Sequence, residues 1–173
     1  MTGKLQKSFT IMPAFFVTYC LLGYDAWLKC KDKDKFNWSR QSRIYDYITA
    51  TNKSLTHSWP WVDVDHVYLP CCFKDRTHWL LLVVSIRERS ITIYDSMSSN
   101  KPHNKMVTCH VQQIAEFLPL VLCSIDAFDR MSIEDTSSAP FTVSTSLTMP
   151  QQSNGYIYNY YLIIPYLYDE QIV

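Results

Sequence analysis

The stretch that decides the fold is residues 78–96, HWLLLVVSIRERSITIYDS. Its apolar run from Trp79 to Ile86 is rich in leucine and valine, which predicts a central β-strand. The polar residues 87–90 separate this run from the β-branched segment 91–94. Because two strand-forming runs are joined by so short a polar connection, we predict an antiparallel hairpin.

The segments before this hairpin predict two helices and one strand. Apolar residues recur at helical spacing from Ala14 to Cys30, and a second short helix is expected over residues 40–50. Residues 62–69 have the pattern of a short strand, which we expect Pro70 to stop. The apolar residues 9–22 have the composition of a secretory signal, but Pro13 and the absence of a small-residue cleavage site favour a buried helix.

The segments after the hairpin add one long helix and one strand. Residues 107–122 place their apolar side chains on one helical face, and Pro119 is late enough to end or kink that helix. Residues 141–143 predict another strand. Together the elements indicate an α+β protein, and the absence of repeats or linkers predicts a single domain over residues 1–173.

Composition narrows the function classes. The 173 residues carry a formal net charge of zero, and lysine and arginine are scattered along the chain. This distribution argues against nucleic-acid binding and favours protein or peptide partners. The apolar run near the start is shorter than the roughly 20 residues needed to span a bilayer, so we expect no membrane association.

The six cysteines show no zinc-binding spacing, so we expect neither a metal nor another cofactor. Reduced thiols in an intracellular protein are the simplest interpretation. A secreted disulfide protein is a distant alternative, which a count of free thiols under denaturing conditions would distinguish.

Two residues at the ends of the predicted hairpin suggest catalytic chemistry. His78 opens the first strand and Asp95 closes the second, so antiparallel pairing returns both residues to the same end of the hairpin. A carboxylate there can orient an imidazole, which is the base-and-orienter half of a catalytic triad. Taken singly, each has an ordinary explanation: His78 as a hydrogen-bonded edge residue, Asp95 as a turn residue. The pair Gln151-Gln152 before Asn154-Gly155 is by itself most often turn chemistry.

Several motifs, in this order and spacing, carry a resemblance to a known family. They are Asp25-Ala26-Trp27, the segment WVDVDHVYLP (61–70), His78-Trp79, Ile93-Tyr94-Asp95-Ser96, Phe117-Leu118-Pro119 and PQQSNGY (150–156). In these motifs the chain resembles the SUMO and ubiquitin-like-protein-specific cysteine proteases, including the transposon-associated set of plants. The resemblance covers most of the chain.

The resemblance implies a papain-like α+β fold, with a small antiparallel sheet and helices packed around it. It also implies that His78 is the general base, Asp95 its orienter and Gln152 the oxyanion-hole donor. Trp79 would help to form a narrow tunnel for the Gly-Gly tail of the substrate. The implied partner of this monomer is SUMO or another ubiquitin-like protein with its conjugates, and the implied location is intracellular and nuclear.

The chain departs from the family at the nucleophile. After Asn154-Gly155-Tyr156 the family continues with aspartate, cysteine and glycine, whereas this sequence has Ile157, Tyr158 and Asn159. A phenol with a pKa of about 10 is a poor nucleophile at neutral pH. Cys71 and Cys72 would approach His78 from the preceding loop, so we do not expect them to substitute. The sequence therefore predicts a member of the family without turnover.

The tail also departs from the family. In the family a long core helix begins at the cysteine, but here half of the twelve tyrosines follow Gly155, and Pro165 would interrupt a helix. We therefore doubt the C-terminal helix and consider an incomplete domain, whether through an unspliced intron, a frameshift or ordinary divergence. Two other interpretations stay open: a module that binds SUMO without cutting it, and a transposon relic that does not fold stably.

Overall fold

The computed structural model describes residues 7–52, 59–72 and 78–151, and these form one mixed sheet with helices packed against it. The sheet has the order β1-β2-β3-β4-β5, where the strands are β1 Lys7–Ile11, β2 Val64–Cys71, β3 Leu80–Ser85, β4 Ser90–Tyr94 and β5 Thr142–Thr145. The α-helices are α1 Phe16–Lys29, α2 Ser42–Thr49, α3 Lys101–Cys123 and α4 Ala127–Arg130, with short 3-10 turns at Lys33–Lys35, Trp38–Gln41 and Trp61–Asp63. The described residues thus confirm an α+β architecture.

The predicted hairpin is confirmed as β3 and β4. The two strands pair antiparallel with Leu82 opposite Ile93, and every residue of β3 is buried. The connecting turn ends at Arg89, whose φ of 51° lies in the left-handed region. Successive side chains of a strand point to opposite faces, so a fully buried β3 means that both faces of the sheet are covered there.

The expected small antiparallel sheet is present as the three central strands, and a strand that pairs parallel is added at each edge. β2, β3 and β4 pair antiparallel, but β1 pairs parallel with β2, and β5 pairs parallel with β4. The physical reason is the length of the connections. Parallel neighbours need a crossover of a dozen or more residues, and here α1 and α2 lie between β1 and β2, while α3 and α4 lie between β4 and β5.

Pro70 does not stop β2, contrary to the sequence prediction. The strand continues to Cys71, and Pro70 lies opposite Leu81 of β3. The pairing of β1 with β2 ends at Ile11 opposite Tyr68, so Pro70 has a strand neighbour on one side only. Proline is tolerated at such an edge-like position because its missing N–H need not serve a second strand.

The predicted helix at 107–122 is present but begins six residues earlier, as α3. Asn100 caps the helix with its side chain, which accepts a hydrogen bond from the His103 backbone N–H at 3.2 Å. Pro102 stands in the first turn, where a proline costs no hydrogen bond. Pro119 does not end α3, which runs on to Cys123.

α3 is the central helix of the hydrophobic core. Among the described helices it is the one long and apolar enough to cross a membrane. Its apolar residues are instead largely buried against α1 and the sheet, and Phe117 is completely buried in that core. The structure therefore uses the apolar character of α3 for packing.

Candidate active site

The end of the β3–β4 hairpin brings His78 and Asp95 together. His78 lies two residues before β3, and Asp95 directly follows β4. His78 Nε2 lies 2.6 Å from Asp95 Oδ1, and the exposed fractions of the two residues are 8% and 1%. The pairing is therefore short, and the carboxylate is shielded from water.

Asp95 accepts further hydrogen bonds from the turn that follows it and from the first turn of α3. The Met97 backbone N–H donates to Asp95 Oδ1 at 2.8 Å, and His103 Nε2 lies 2.8 Å from Asp95 Oδ2. Burial would raise the pKa of the Asp95 carboxyl, but the hydrogen bonds from His78, the Met97 N–H and His103 outweigh it and hold this pKa below its ordinary value. Asp95 is therefore a carboxylate at neutral pH.

The ionised state of Asp95 determines which ring nitrogen of His78 and of His103 carries a hydrogen. A carboxylate accepts hydrogen bonds and donates none, so the Nε2 atoms of His78 and His103 must both carry hydrogen. In a neutral His78 ring, Nδ1 is then the nitrogen with the lone pair. This geometry makes Nδ1 the atom of His78 that can accept a proton.

His103 is the site residue that the sequence did not reveal. It lies in the first turn of α3, and its ring meets that of His78 edge to face at a centroid distance of 4.8 Å. A single histidine in a polar stretch carries no periodic or motif signal. The one available signal was the combination of Asn100 and Pro102, which marks a helix start close after Asp95.

The cluster of His78, Asp95 and His103 also has the residue types of a zinc site. Their donor atoms lie within 4.8 Å of one another. The Nε2 atoms of both histidines and both carboxylate oxygens of Asp95 take part in hydrogen bonds inside the cluster. An ion bound through these atoms would replace both histidine hydrogen bonds of Asp95.

Gln151 ties the end of the described chain to the site. Its Nε2 donates to the Asp95 carbonyl at 3.1 Å, and its Oε1 accepts from the Ser99 N–H at 3.1 Å. The sequence singled out the neighbouring Gln152 as the oxyanion-hole donor. Gln152 and Tyr158 both lie outside the described residues, as does the whole tail after Gln151.

Two other residues singled out from the sequence lie near the cluster. Trp79 follows His78 directly and is half-buried. Cys71 ends β2 and is buried, and burial, followed by the proximity of Cys72 and Asp95, raises the pKa of its thiol well above the ordinary value. Cys71 therefore remains a thiol at neutral pH, and a thiol is a weak nucleophile.

Comparisons with known proteins place the whole chain rather than its single residues. The family model described as "Ulp1 protease family, C-terminal catalytic domain" matches residues 2–156. Comparison with the sequences of curated proteins finds no match.

Three solved structures illustrate the structural likeness. The C-terminal Ulp1 protease domain in complex with Smt3, the yeast ortholog of SUMO, has a TM-score of 0.51 and 19% identity, covering 95% of this chain and 58% of that chain. The Ulp1-like SUMO protease catalytic domain of Chaetomium thermophilum has a TM-score of 0.39 and 18% identity, with coverages of 87% and 45%. The effector ChlaDUB of Chlamydia abortus has a TM-score of 0.42 and 16% identity, with coverages of 70% and 60%. The chain thus spans somewhat over half the length of the first of these proteins.

Proposed function

Because the chain belongs to the Ulp1 family of cysteine proteases, with the papain-like fold of that family, we propose that it keeps the base and orienter of the site but has lost turnover. The observation that carries this proposal is the buried pair of His78 Nε2 and Asp95 Oδ1 at 2.6 Å. The tautomer set by Asp95 places the proton-accepting lone pair of His78 on Nδ1.

In an active member, a cysteine thiol would give its proton to the histidine that corresponds to His78, and the thiolate would attack the carbonyl carbon of the last glycine in the Gly-Gly tail. The protonated histidine would then return that proton to the leaving amine, and water would hydrolyse the thioester. In this chain Tyr158 occupies the nucleophile position of the family motif. The family match ends at Tyr156, two residues before that position, which supports a real departure there.

Cys71 ends β2, and burial, followed by the proximity of Cys72 and Asp95, raises the pKa of its thiol, which therefore stays protonated. It therefore offers no replacement for the missing thiolate. Removal of a triad nucleophile leaves only the weak catalysis that comes from binding and the oxyanion hole.

A hydrolysis assay tests this proposal. The full chain is mixed with SUMO that carries a fluorophore on its C-terminal glycine, and the release rate is compared with that of His78→Ala. We expect the two proteins to release the fluorophore at the same rate, at or close to the rate without protein. Release by the natural chain that disappears in His78→Ala would contradict the loss of turnover.

A second candidate function is non-catalytic binding of a ubiquitin-like modifier by the site residues that remain. The half-buried Trp79 beside His78 favours it, since an aromatic side chain there can contact an extended Gly-Gly tail.

Calorimetry with SUMO tests this second candidate. Binding should weaken about tenfold or more in Trp79→Ala, as for an aromatic anchor. Trp59→Ala is the matched control, because Trp59 is exposed beside β1, where its backbone N–H donates to Thr10. Absence of binding by the natural chain would eliminate this candidate.

A further inference from the structure

Asp95 is held by more contacts than an orienting carboxylate needs for one histidine. Oδ1 accepts from His78 Nε2 and from the Met97 N–H, while Oδ2 accepts from His103 Nε2. The Asp95 backbone carbonyl accepts in addition from Gln151 Nε2. Each carboxylate oxygen therefore has its own histidine.

His103 is fixed in place independently of Asp95. Its backbone N–H donates to the Asn100 side chain at 3.2 Å, and Asn104 N–H donates to the Asn100 carbonyl at 2.8 Å. This cap sets the first turn of α3, so the His103 ring is carried by a rigid helix start. Only 14% of the His103 side chain is exposed, which keeps water from competing for Asp95 Oδ2.

We propose that His103 is a positioning residue for His78, acting through Oδ2 of Asp95. The inference rests on the proposed function in one respect: the proton-accepting atom of His78 matters only in a protease site or its descendant. With Oδ2 held by His103, the carboxylate cannot turn about its bond to Cβ. Oδ1 therefore stays aimed at His78 Nε2, and the lone pair of His78 stays on Nδ1.

The alternative is that His103 only helps the fold, as a partner for a buried carboxylate oxygen. Both roles predict that its removal lowers stability, since an unpaired buried acceptor is costly. Only the positioning role predicts a change in the proton distribution on the neighbouring ring of His78. The tautomer of His78 therefore separates the two roles.

The test uses nuclear magnetic resonance on the full chain with 15N-labelled histidine, where the ring nitrogen shifts report the tautomer of His78. The variants are His103→Phe, which keeps a ring without a donor, and His103→Asn, whose amide is too short to reach Oδ2. His103→Gln restores a donor at similar reach. His110→Gln is the matched control, because His110 lies in the same helix, with its Nδ1 2.9 Å from the Met106 carbonyl oxygen.

We expect the Nε2–H tautomer of His78 to dominate in the natural chain, in His103→Gln and in His110→Gln. In His103→Phe and His103→Asn the ratio of the Nε2–H to the Nδ1–H form of His78 should fall by about threefold or more. The free-energy change behind that fall is smaller than the contribution of one hydrogen bond to a charged group. An unchanged ratio in either folded variant would overturn the proposal. A shift of the His78 and His103 ring signals on adding EDTA would overturn it too, because the cluster would then hold an ion. No modifier or turnover enters the readout, so a failed hydrolysis or binding assay leaves this result interpretable.

Discussion

Asp95 stands at the end of β4 with almost no exposed surface, and the chemistry of the site follows from its ionisation. Its carboxylate accepts hydrogen bonds from two imidazoles and one backbone N–H. These contacts hold its pKa below the ordinary value although burial opposes them. The charge of Asp95 is therefore part of both the stability of the fold and the tautomer of His78.

The lowered pKa of Asp95 predicts a pH dependence of stability. The unfolded carboxyl has a pKa of about 3.9, so below that pH the unfolded chain binds the proton before the folded one does. The stabilisation from Asp95 is thus present above about pH 4 and is lost as the pH falls through the folded pKa. Urea unfolding from pH 6 to pH 3 should show this loss in the natural chain. In Asp95→Asn this fall in the free energy of unfolding with decreasing pH should be smaller. An equal fall in both proteins would contradict the lowered pKa of Asp95.

The reactivity of each cysteine depends on the burial of its own thiol. Cys20 and Cys71 are buried, and burial raises the pKa of both thiols, whereas Cys109 is exposed. Because alkylation needs an accessible thiolate, iodoacetamide should modify Cys109 long before Cys20 or Cys71 in the folded protein. Peptide mass spectrometry after timed labelling measures the order. Rapid labelling of Cys71 would show an activated thiol near His78 and would reopen the question of a substitute nucleophile.

Among the strands and helices, those specified by their own residues could be predicted from the sequence, and those that depend on distant partners could not. The β3–β4 hairpin follows from residues 79–94 because apolar runs and a short polar connection specify it without distant partners. β1 was not predicted, and the buried helix expected over residues 9–22 was wrong at residues 9–11, because these residues are ordered by parallel pairing with β2, more than fifty residues away. The early start of α3 was missed because residues 101–106 are mostly polar, although Asn100 and Pro102 carry the capping signal. His103 was missed with it.

The cap of α3 provides a quantitative test. Asn100→Ala removes the side-chain acceptor for the His103 N–H and should lower the free energy of unfolding by about 1 kcal/mol. Asn104→Ala in the next turn is the control, because it removes the same amide from the helix but leaves the cap intact. Urea denaturation measures both. Equal effects of the two substitutions would mean that the cap does not stabilise α3.

The contact between α1 and α3 depends on a glycine. A Cβ added to Gly23 would lie 2.6 Å from Cζ of Phe117, whose ring is fully buried, so the packing around the ring would have to shift. Alanine is favoured over glycine inside a helix by about 1 kcal/mol, but overpacking a core costs about 1–3 kcal/mol. We therefore expect Gly23→Ala to destabilise the protein by about 1 kcal/mol in thermal or urea unfolding. Thr18→Ala at an exposed position of α1 is the control, and a gain in stability from Gly23→Ala would contradict this packing.

At the scale of the whole molecule, the site is assembled from one hairpin and the start of the helix that follows it. The sequence placed His78 and Asp95 at one end of that hairpin, because antiparallel pairing alone brings them together. It could not place His103, whose position depends on how α3 crosses from β4 to β5 and packs in the core. The catalytic roles of His78, Asp95 and Gln152, the substrate-binding role of Trp79 and the loss of the nucleophile at Tyr158 remain predictions.

The most direct test of the central claim is an intact-mass measurement after incubation of the full chain with SUMO that carries a C-terminal electrophile. Such a probe forms a covalent bond with an activated thiolate beside a catalytic histidine. We expect the mass of the chain to stay unchanged, because His78 and Asp95 have no thiolate to activate. A stoichiometric adduct that is lost in His78→Ala would contradict it, and the modified cysteine would then be the nucleophile.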